Sequence, residues 1–209
     1  LDPYDDPVYL VDSILLGEGV IASDHAYQGD FMQIGFFNGT NSNIGLDSGI
    51  VMSCGDIAEL DPAIGFGDQP ANLLATDDDL LELANSVPPL IGQNFEVGSV
   101  NDIAILEFDF VATSDSISFR YVFGSDEYLT YVNTIYNDVF GFFISGPGIV
   151  GPYSSPPGFP DGSINIATVP DSDPELPITI SSVNNVLNEQ YYIDNQGNET
   201  VACNGFTDV

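Results

Sequence analysis

Hydrophobic and polar positions alternate with a period of two in the segment "AILEFDFVATSDSISFRYVFG". Side chains of a β-strand point alternately to opposite faces, so this pattern predicts a hairpin with its turn at residues 114–115. In that register Leu106 faces Phe123 within an apolar layer. On the other face Asp109 lies opposite Arg120, and we expect a structural ion pair between them.

Apolar residues at a spacing of three to four predict two short helices, in "DDPVYLVDSILLGEG" and "ATDDDLLELANSV". The first is expected to begin after Asp6, with Pro7 at its first position, and to end at Gly17. Asp77 or Asp78 is expected to cap the second. Short apolar runs separated by Gly, Asn and Asp fill most of the remaining chain and indicate strands. We therefore predict one all-β domain over residues 1–209, a two-sheet antiparallel β-sandwich of jelly-roll type with two short helices and long loops.

The net charge of the chain indicates the environment in which the protein works. Thirty-two Asp and Glu residues accompany one basic residue, giving a formal net charge of −31. Such a surface repels nucleic acid and anionic membranes, and it opposes its own folding unless salt or bound cations screen it. Because no apolar run approaches the length of a membrane span, we expect no membrane insertion. The composition favours a secreted, extracellular or cell-surface protein in a salty medium.

Residues suited to catalysis are scarce. His25 is the only histidine and Arg120 the only arginine, which leaves little to activate a nucleophile or to hold an oxyanion. A pair of carboxylates, as in glycosidases, remains open, but we expect no enzyme. Cys54 and Cys203 are the two cysteines, and they form either a disulfide that closes a long loop or two unrelated thiols.

Oxygen ligands for a hard cation gather between two aromatic-rich strands. The segment between the strands at 117–123 and 138–144 carries Asp126, Glu127, Asn137 and Asp138. If its two ends meet, these side chains supply carboxylate and amide oxygens of the kind that Ca²⁺ prefers. The sequence therefore predicts a calcium site here. The alternative is a solvated acidic loop whose Asn and Asp residues only form turns.

The stretch "FRYVFGSDEYLTYVNTIYNDVFGFFISGPGI" resembles the signature of the choice-of-anchor L domain family. Further stretches fit in the same order, among them "LVDSILLGEGVIASDHAYQGDFMQIGFFNG", "ILEFDFVATSDSISF" and "NIATVPDSDPELPITISSVN". The resemblance implies a module of bacterial secreted and surface proteins, especially adhesin-like proteins of Bacteroidetes-type organisms. It also implies export that often uses type IX secretion. The family pattern continues past "NGFT", so the chain is expected to lack C-terminal strands, being a fragment or a fold completed by another chain.

These observations predict an extracellular structural or adhesive module of a surface protein or filament, stabilised by calcium. Its partners would be other copies or other domains of the same assembly. The alternative is a lectin-like, carbohydrate-binding module. Four tyrosines are candidates for stacking on sugars, namely Tyr128, Tyr131, Tyr136 and Tyr153.

Overall fold

A computed structural model of the chain describes residues 3–63, 76–197 and 200–208. Strands account for 26% of these described residues and helices for 17%, so the protein is mostly β. The described residues form two α-helices, Pro7–Tyr9 (α1), which continues as a π-helical turn at Leu10–Leu15, and Asp78–Leu90 (α2). The strands within the described ranges are Val20–Gln28 (β1), Ile34–Asn38 (β2), Ser48–Met52 (β3), Ile105–Ala112 (β4), Val122–Ser125 (β5), Val139–Phe140 (β6), Phe143–Ile144 (β7), Ile164–Asn165 (β8), Ile178–Thr179 (β9), Tyr192–Asp194 (β10) and Gly205–Asp208 (β11).

The strands pair antiparallel in several small sheets. One sheet has three strands in the order β10–β11–β5, and the others described are the pairs β1–β4, β2–β3, β6–β9 and β7–β8. The predicted antiparallel β class with two short helices is therefore confirmed. The jelly-roll arrangement of two packed sheets stays a prediction.

The predicted hairpin is wrong. β4 pairs with β1, so that Leu106 lies opposite Tyr27 and Asp109 lies opposite Ser23. β5 instead pairs with β11, which sets Phe123 opposite Thr207. Alternation in β4 had identified its faces correctly, but it carries no information about which strand lies beside it.

Both helices begin where the sequence predicted, and an aspartate caps each of them. The Asp6 carboxylate accepts a hydrogen bond from the backbone N–H of Val8 at 3.0 Å, ahead of a proline in the first turn. At α2 the Asp77 carboxylate accepts from the backbone N–H of Leu80 at 2.8 Å. These bonds satisfy N–H groups that have no partner within a helix, and they fix where each helix begins.

The chain divides into two compact units. The first comprises Leu1–Thr76, Asn101–Arg120 and Gly197–Cys203 and contains α1 and β1 to β4. Its buried Gln33 side chain links two backbone segments. Its Nε2 donates to the backbone oxygens of Cys54 at 3.2 Å and of Asp102 at 2.7 Å. A buried amide that is bonded in this way avoids the cost of an unsatisfied polar group.

The second unit comprises Asp77–Val100, Tyr121–Gln196 and Asn204–Val209. It contains α2 and β5 to β11. Its apolar core brings together five buried side chains, Ala167, Val169, Leu176, Ile178 and Val183. Half-buried aromatic residues pack around this core, including Phe123 and Phe140. The core therefore supports the ends of β5 and β6, between which the predicted calcium loop runs.

Candidate functional site

The acidic loop, residues 124–138, is closed at its base by a serine. The Ser125 hydroxyl donates to the Asp138 carboxylate at 2.6 Å and accepts from the backbone N–H of Glu127 at 2.9 Å. β5 ends at Ser125, and β6 begins at Val139. The two ends of the loop meet as predicted, although the neighbouring strands that we expected do not pair: β5 lies beside β11, and β6 lies beside β9.

Three predicted ligands interact electrostatically. Desolvation raises the pKa of the Glu127 carboxyl, and the charges of Asp138 and then Asp126 raise it further. Asp138 as a whole residue is exposed, but desolvation of its carboxyl group raises the pKa of that group, against the opposing effect of the Ser125 hydrogen bond. In both groups the surroundings favour the protonated form. A cation bound here would relieve the repulsion among the carboxylates.

The fourth predicted ligand points elsewhere. Asn137 is buried, and its Nδ2 donates to the backbone oxygen of Ala84 in α2 at 3.3 Å. Its Oδ1 is buried without a hydrogen-bond partner within the described part of the chain. In that part, no group of three His, Cys, Asp or Glu side chains is arranged to hold a metal ion. Glu127 therefore lies within electrostatic range of Asp126 and of Asp138, but the described residues do not preform a coordination shell.

The four tyrosines considered for sugar stacking fall into different environments. Tyr128 is buried and its hydroxyl shares a hydrogen bond of 2.8 Å with the Thr207 hydroxyl, which is a core position. Tyr153 is half-buried, in an edge-to-face contact with Phe143. Tyr131 and Tyr136 are exposed on the acidic loop, with their ring centroids 5.1 Å apart in a T-shaped arrangement. Only this last pair offers accessible rings.

The predicted ion pair between Arg120 and Asp109 depended on a cross-strand register that does not occur, because Asp109 lies opposite Ser23. The Arg120 guanidinium instead donates to the backbone oxygen of Gly45 at 3.2 Å. A hydrogen-bonding contact that we did not predict joins the side chains of His25 and Asp12, with Nε2 and Oδ1 3.0 Å apart. No spacing rule links these two residues, because one lies on β1 and the other on the π-helical turn.

Cys54 and Cys203 both belong to the first unit. Cys54 is exposed after β3, and Cys203 is buried ahead of β11. The backbone N–H of Ala202 donates to the oxygen of Leu60 at 2.9 Å, which brings the C-terminal segment against the region that follows Cys54. The disulfide stays one of the two predicted alternatives, the other being two unrelated thiols.

Ser125 is the residue of this site that we missed in the sequence. The signal was present in "GSDEY". A serine hydroxyl commonly stabilises a turn by accepting a hydrogen bond from the backbone N–H two residues further on. The additional bond to a carboxylate thirteen residues away has no local signature, since it depends on the fold of the loop.

The molecule is thus a mostly β protein whose acidic loop is set between strands of one compact unit. It belongs to the choice-of-anchor L domain family, whose model matches residues 3–209 and so covers both units. Membership indicates a secreted or surface-associated module. No significant match was found among curated proteins or among solved structures. Within the described residues, none of the helices has both the length and the apolar character needed to cross a membrane.

Proposed function

We propose that this chain is an extracellular structural or adhesive module of a bacterial cell-surface protein or filament, and that calcium orders its acidic loop. Membership of the choice-of-anchor L family supports the surface setting, and export by type IX secretion is consistent with it. The charge of −31 supports it as well, because a folded chain this acidic needs salt or cations to limit self-repulsion. The role is one of structure and binding, without catalysis.

The observation that carries the calcium proposal is the closure of the acidic loop by the Ser125–Asp138 hydrogen bond, which leaves Glu127 within range of the charges of Asp126 and Asp138. The Asp138 carboxylate accepts a hydrogen bond from the Ser125 hydroxyl, and the charges of Asp138 and Asp126 raise the pKa of Glu127. Carboxylate oxygens are the ligands that Ca²⁺ prefers, and backbone oxygens and water commonly complete its six to eight positions. Because the three groups are not arranged as a finished shell, binding would draw them together. The amide oxygen of Asn137 would join only if its side chain turned away from Ala84.

Other copies or other domains of a surface assembly are the proposed partners. Calcium that neutralises part of the acidic surface would reduce the repulsion between copies, which otherwise opposes association. Completion of an open sheet edge by a strand from another chain is one route to a filament, and it is consistent with a sandwich of the jelly-roll type.

Light scattering tests the assembly role. The protein at high ionic strength is compared in EDTA, in millimolar calcium and in millimolar magnesium. We expect large assemblies in calcium that dissolve on chelation, with little scattering in magnesium. A monomer under all three conditions would contradict self-assembly and leave the adhesive role to a different partner.

A lectin-like function is the second candidate, and the exposed contact between Tyr131 and Tyr136 favours it. Two accessible rings at a fixed angle present apolar faces of the kind that stack on sugars. The loop holds them in place, since the Tyr131 backbone N–H donates to the Glu127 oxygen at 2.9 Å and the Asn133 N–H donates to the Ser181 hydroxyl at 3.0 Å.

A further inference from the structure

An open groove of about 480 Å³ lies at the C-terminal end of α2, in the second unit. It is shallow and open to solvent rather than an enclosed cavity. The lining residues all come from the end of the helix and the segment that follows it: Asn85, Pro88, Pro89, Gln93, Asn94, Phe95 and Glu96. None of them belongs to the acidic loop or to the tyrosine pair.

Hydrogen bonds of the backbone fix the shape of this groove. Beyond the end of α2, the N–H of Gln93 donates to the Pro88 oxygen at 2.8 Å and the N–H of Gly92 donates to the Pro89 oxygen at 3.4 Å. Gly92 has φ +73°, the left-handed conformation that this type of helix ending requires and that glycine adopts without strain. The chain therefore turns back at a defined angle and forms one wall of the groove.

The Asn85 side chain, in α2, holds the far end of this segment at Val97. Its Nδ2 donates to the backbone oxygen of Val97 at 3.0 Å, and its Oδ1 accepts from the Val97 N–H at 2.8 Å. Val97 itself is buried. The segment between Gly92 and Val97 is thus held at both ends, so a ligand would meet a largely preorganised surface.

Apart from Asn85, the polar side chains of the groove are exposed. Gln93, Asn94 and Glu96 are exposed, and no hydrogen bond of their side chains is found within the described residues. They line the groove together with the half-buried Phe95 and the exposed Pro89. Two amides supply both donors and acceptors, the carboxylate supplies acceptors, and the two rings supply apolar surface.

We propose that this groove binds a neutral carbohydrate, with the apolar face of a sugar ring against Phe95 and its hydroxyls bonded to Gln93, Asn94 and Glu96. A sugar presents both kinds of surface at once, as the lining does. Anionic ligands are disfavoured, because the lining has no cationic group and the chain carries a net charge of −31. A metal ion is disfavoured because the lining offers a single carboxylate.

This inference supplies a ligand for the adhesive role and rests on that proposed function only for its extracellular setting. The groove and the acidic loop share no residue, so sugar binding at the groove is expected to persist in EDTA. A failed calcium experiment would therefore leave the groove proposal standing, and a failed sugar experiment would leave the calcium proposal standing.

A glycan array probed in EDTA at high ionic strength tests the proposal. The array carries neutral, sialylated and sulfated oligosaccharides, and calorimetry then measures the affinity for the strongest neutral hit. We expect Gln93→Ala to weaken that affinity roughly five- to tenfold, as removal of a neutral hydrogen-bonding group does. Phe95→Ala is expected to weaken it at least as much. Phe95→Leu is included because it keeps most of the buried volume if the alanine variant fails to fold.

Two matched variants serve as controls. Gln28→Ala and Phe31→Ala remove an exposed amide and an exposed ring from the first unit, and both should bind within twofold of the parent protein. The proposal is overturned if no neutral glycan binds, if only sialylated or sulfated glycans bind, or if Gln93→Ala and Phe95→Leu bind like the parent. Loss of binding in Tyr136→Ala with Gln93→Ala unaffected would place the sugar on the tyrosine pair and would also overturn it.

Discussion

At the scale of single residues, Asp138 has the most informative environment of the predicted ligands. Its carboxyl is bonded to Ser125 and lies close enough to Glu127 to influence its titration. The sequence predicted that carboxylates would gather here, because their spacing placed them at the two ends of one loop. It did not predict that Asn137 would turn towards α2, since neighbouring residues in an extended segment point in opposite directions and only packing decides which faces inward.

The raised pKa of Asp138 makes a prediction about stability and pH. Between its ordinary pKa, 3.8, and the higher folded value, the folded state binds more protons than the unfolded state, so this group's contribution to stability falls as pH rises. In EDTA we therefore expect Asp138→Asn to match the parent near pH 4 and to be the more stable protein at pH 7. Urea unfolding at several pH values measures the difference.

Asp115→Asn, in an exposed turn, is the matched control and should follow the parent across this pH range. A parent protein that is more stable than Asp138→Asn at pH 7 in EDTA would contradict the environment described for this carboxyl. Added calcium should reverse the order of the two proteins, because the ion binds the ionised carboxylate and has one ligand fewer in the variant.

At the scale of elements, α2 was the most predictable feature. Its apolar spacing, its acidic first turn and its capping aspartate agree with one another, and the structure confirms the cap at Asp77. The strands were less predictable. Alternation in β4 indicated its buried face, but the partner strand, β1, lies far away in the sequence, and its own pattern did not identify it.

The groove at the end of α2 was also not predicted from the sequence. Gly92 marks the end of a helix, and "QNFE" follows it directly, yet this short polar stretch reads as an ordinary loop. Its significance arises only in the fold, where the Asn85 side chain binds the Val97 backbone and Gln93, Asn94, Phe95 and Glu96 line one groove. A contact between side chain and backbone across twelve residues has no sequence signature.

The cap of α2 gives a prediction for this element. Asp77→Ala removes the carboxylate that accepts from the Leu80 N–H, and we expect it to lower the free energy of unfolding by about 1 kcal/mol. Asp78→Ala removes an acid of the first turn that is not the cap, and the expected loss is about half as large. Denaturant unfolding followed by circular dichroism compares the two, and equal effects would show that capping is not the dominant contribution.

At the scale of the whole molecule, composition predicted the setting of the protein better than the strand patterns predicted its architecture. The charge of −31 indicated an extracellular, salt-exposed protein, and membership of the choice-of-anchor L family fits a secreted or surface module. The architecture was predicted only in part, because short runs of alternation identify antiparallel strands without showing how many sheets they form. Small sheets of two and three strands in two compact units satisfy the same patterns.

The central claim is that calcium holds the acidic loop, and thermal unfolding tests it most directly. The protein is melted in EDTA, in millimolar calcium and in millimolar magnesium at one fixed high ionic strength, so that general screening is constant. A ligand that binds only the folded state at a hundredfold excess over its dissociation constant adds about 2.7 kcal/mol of stability. We predict a calcium-specific rise in Tm that Asp126→Ala and Asp138→Ala abolish and Asp115→Ala retains. Equal Tm values in calcium and EDTA, or a rise that survives in Asp138→Ala, would contradict the account.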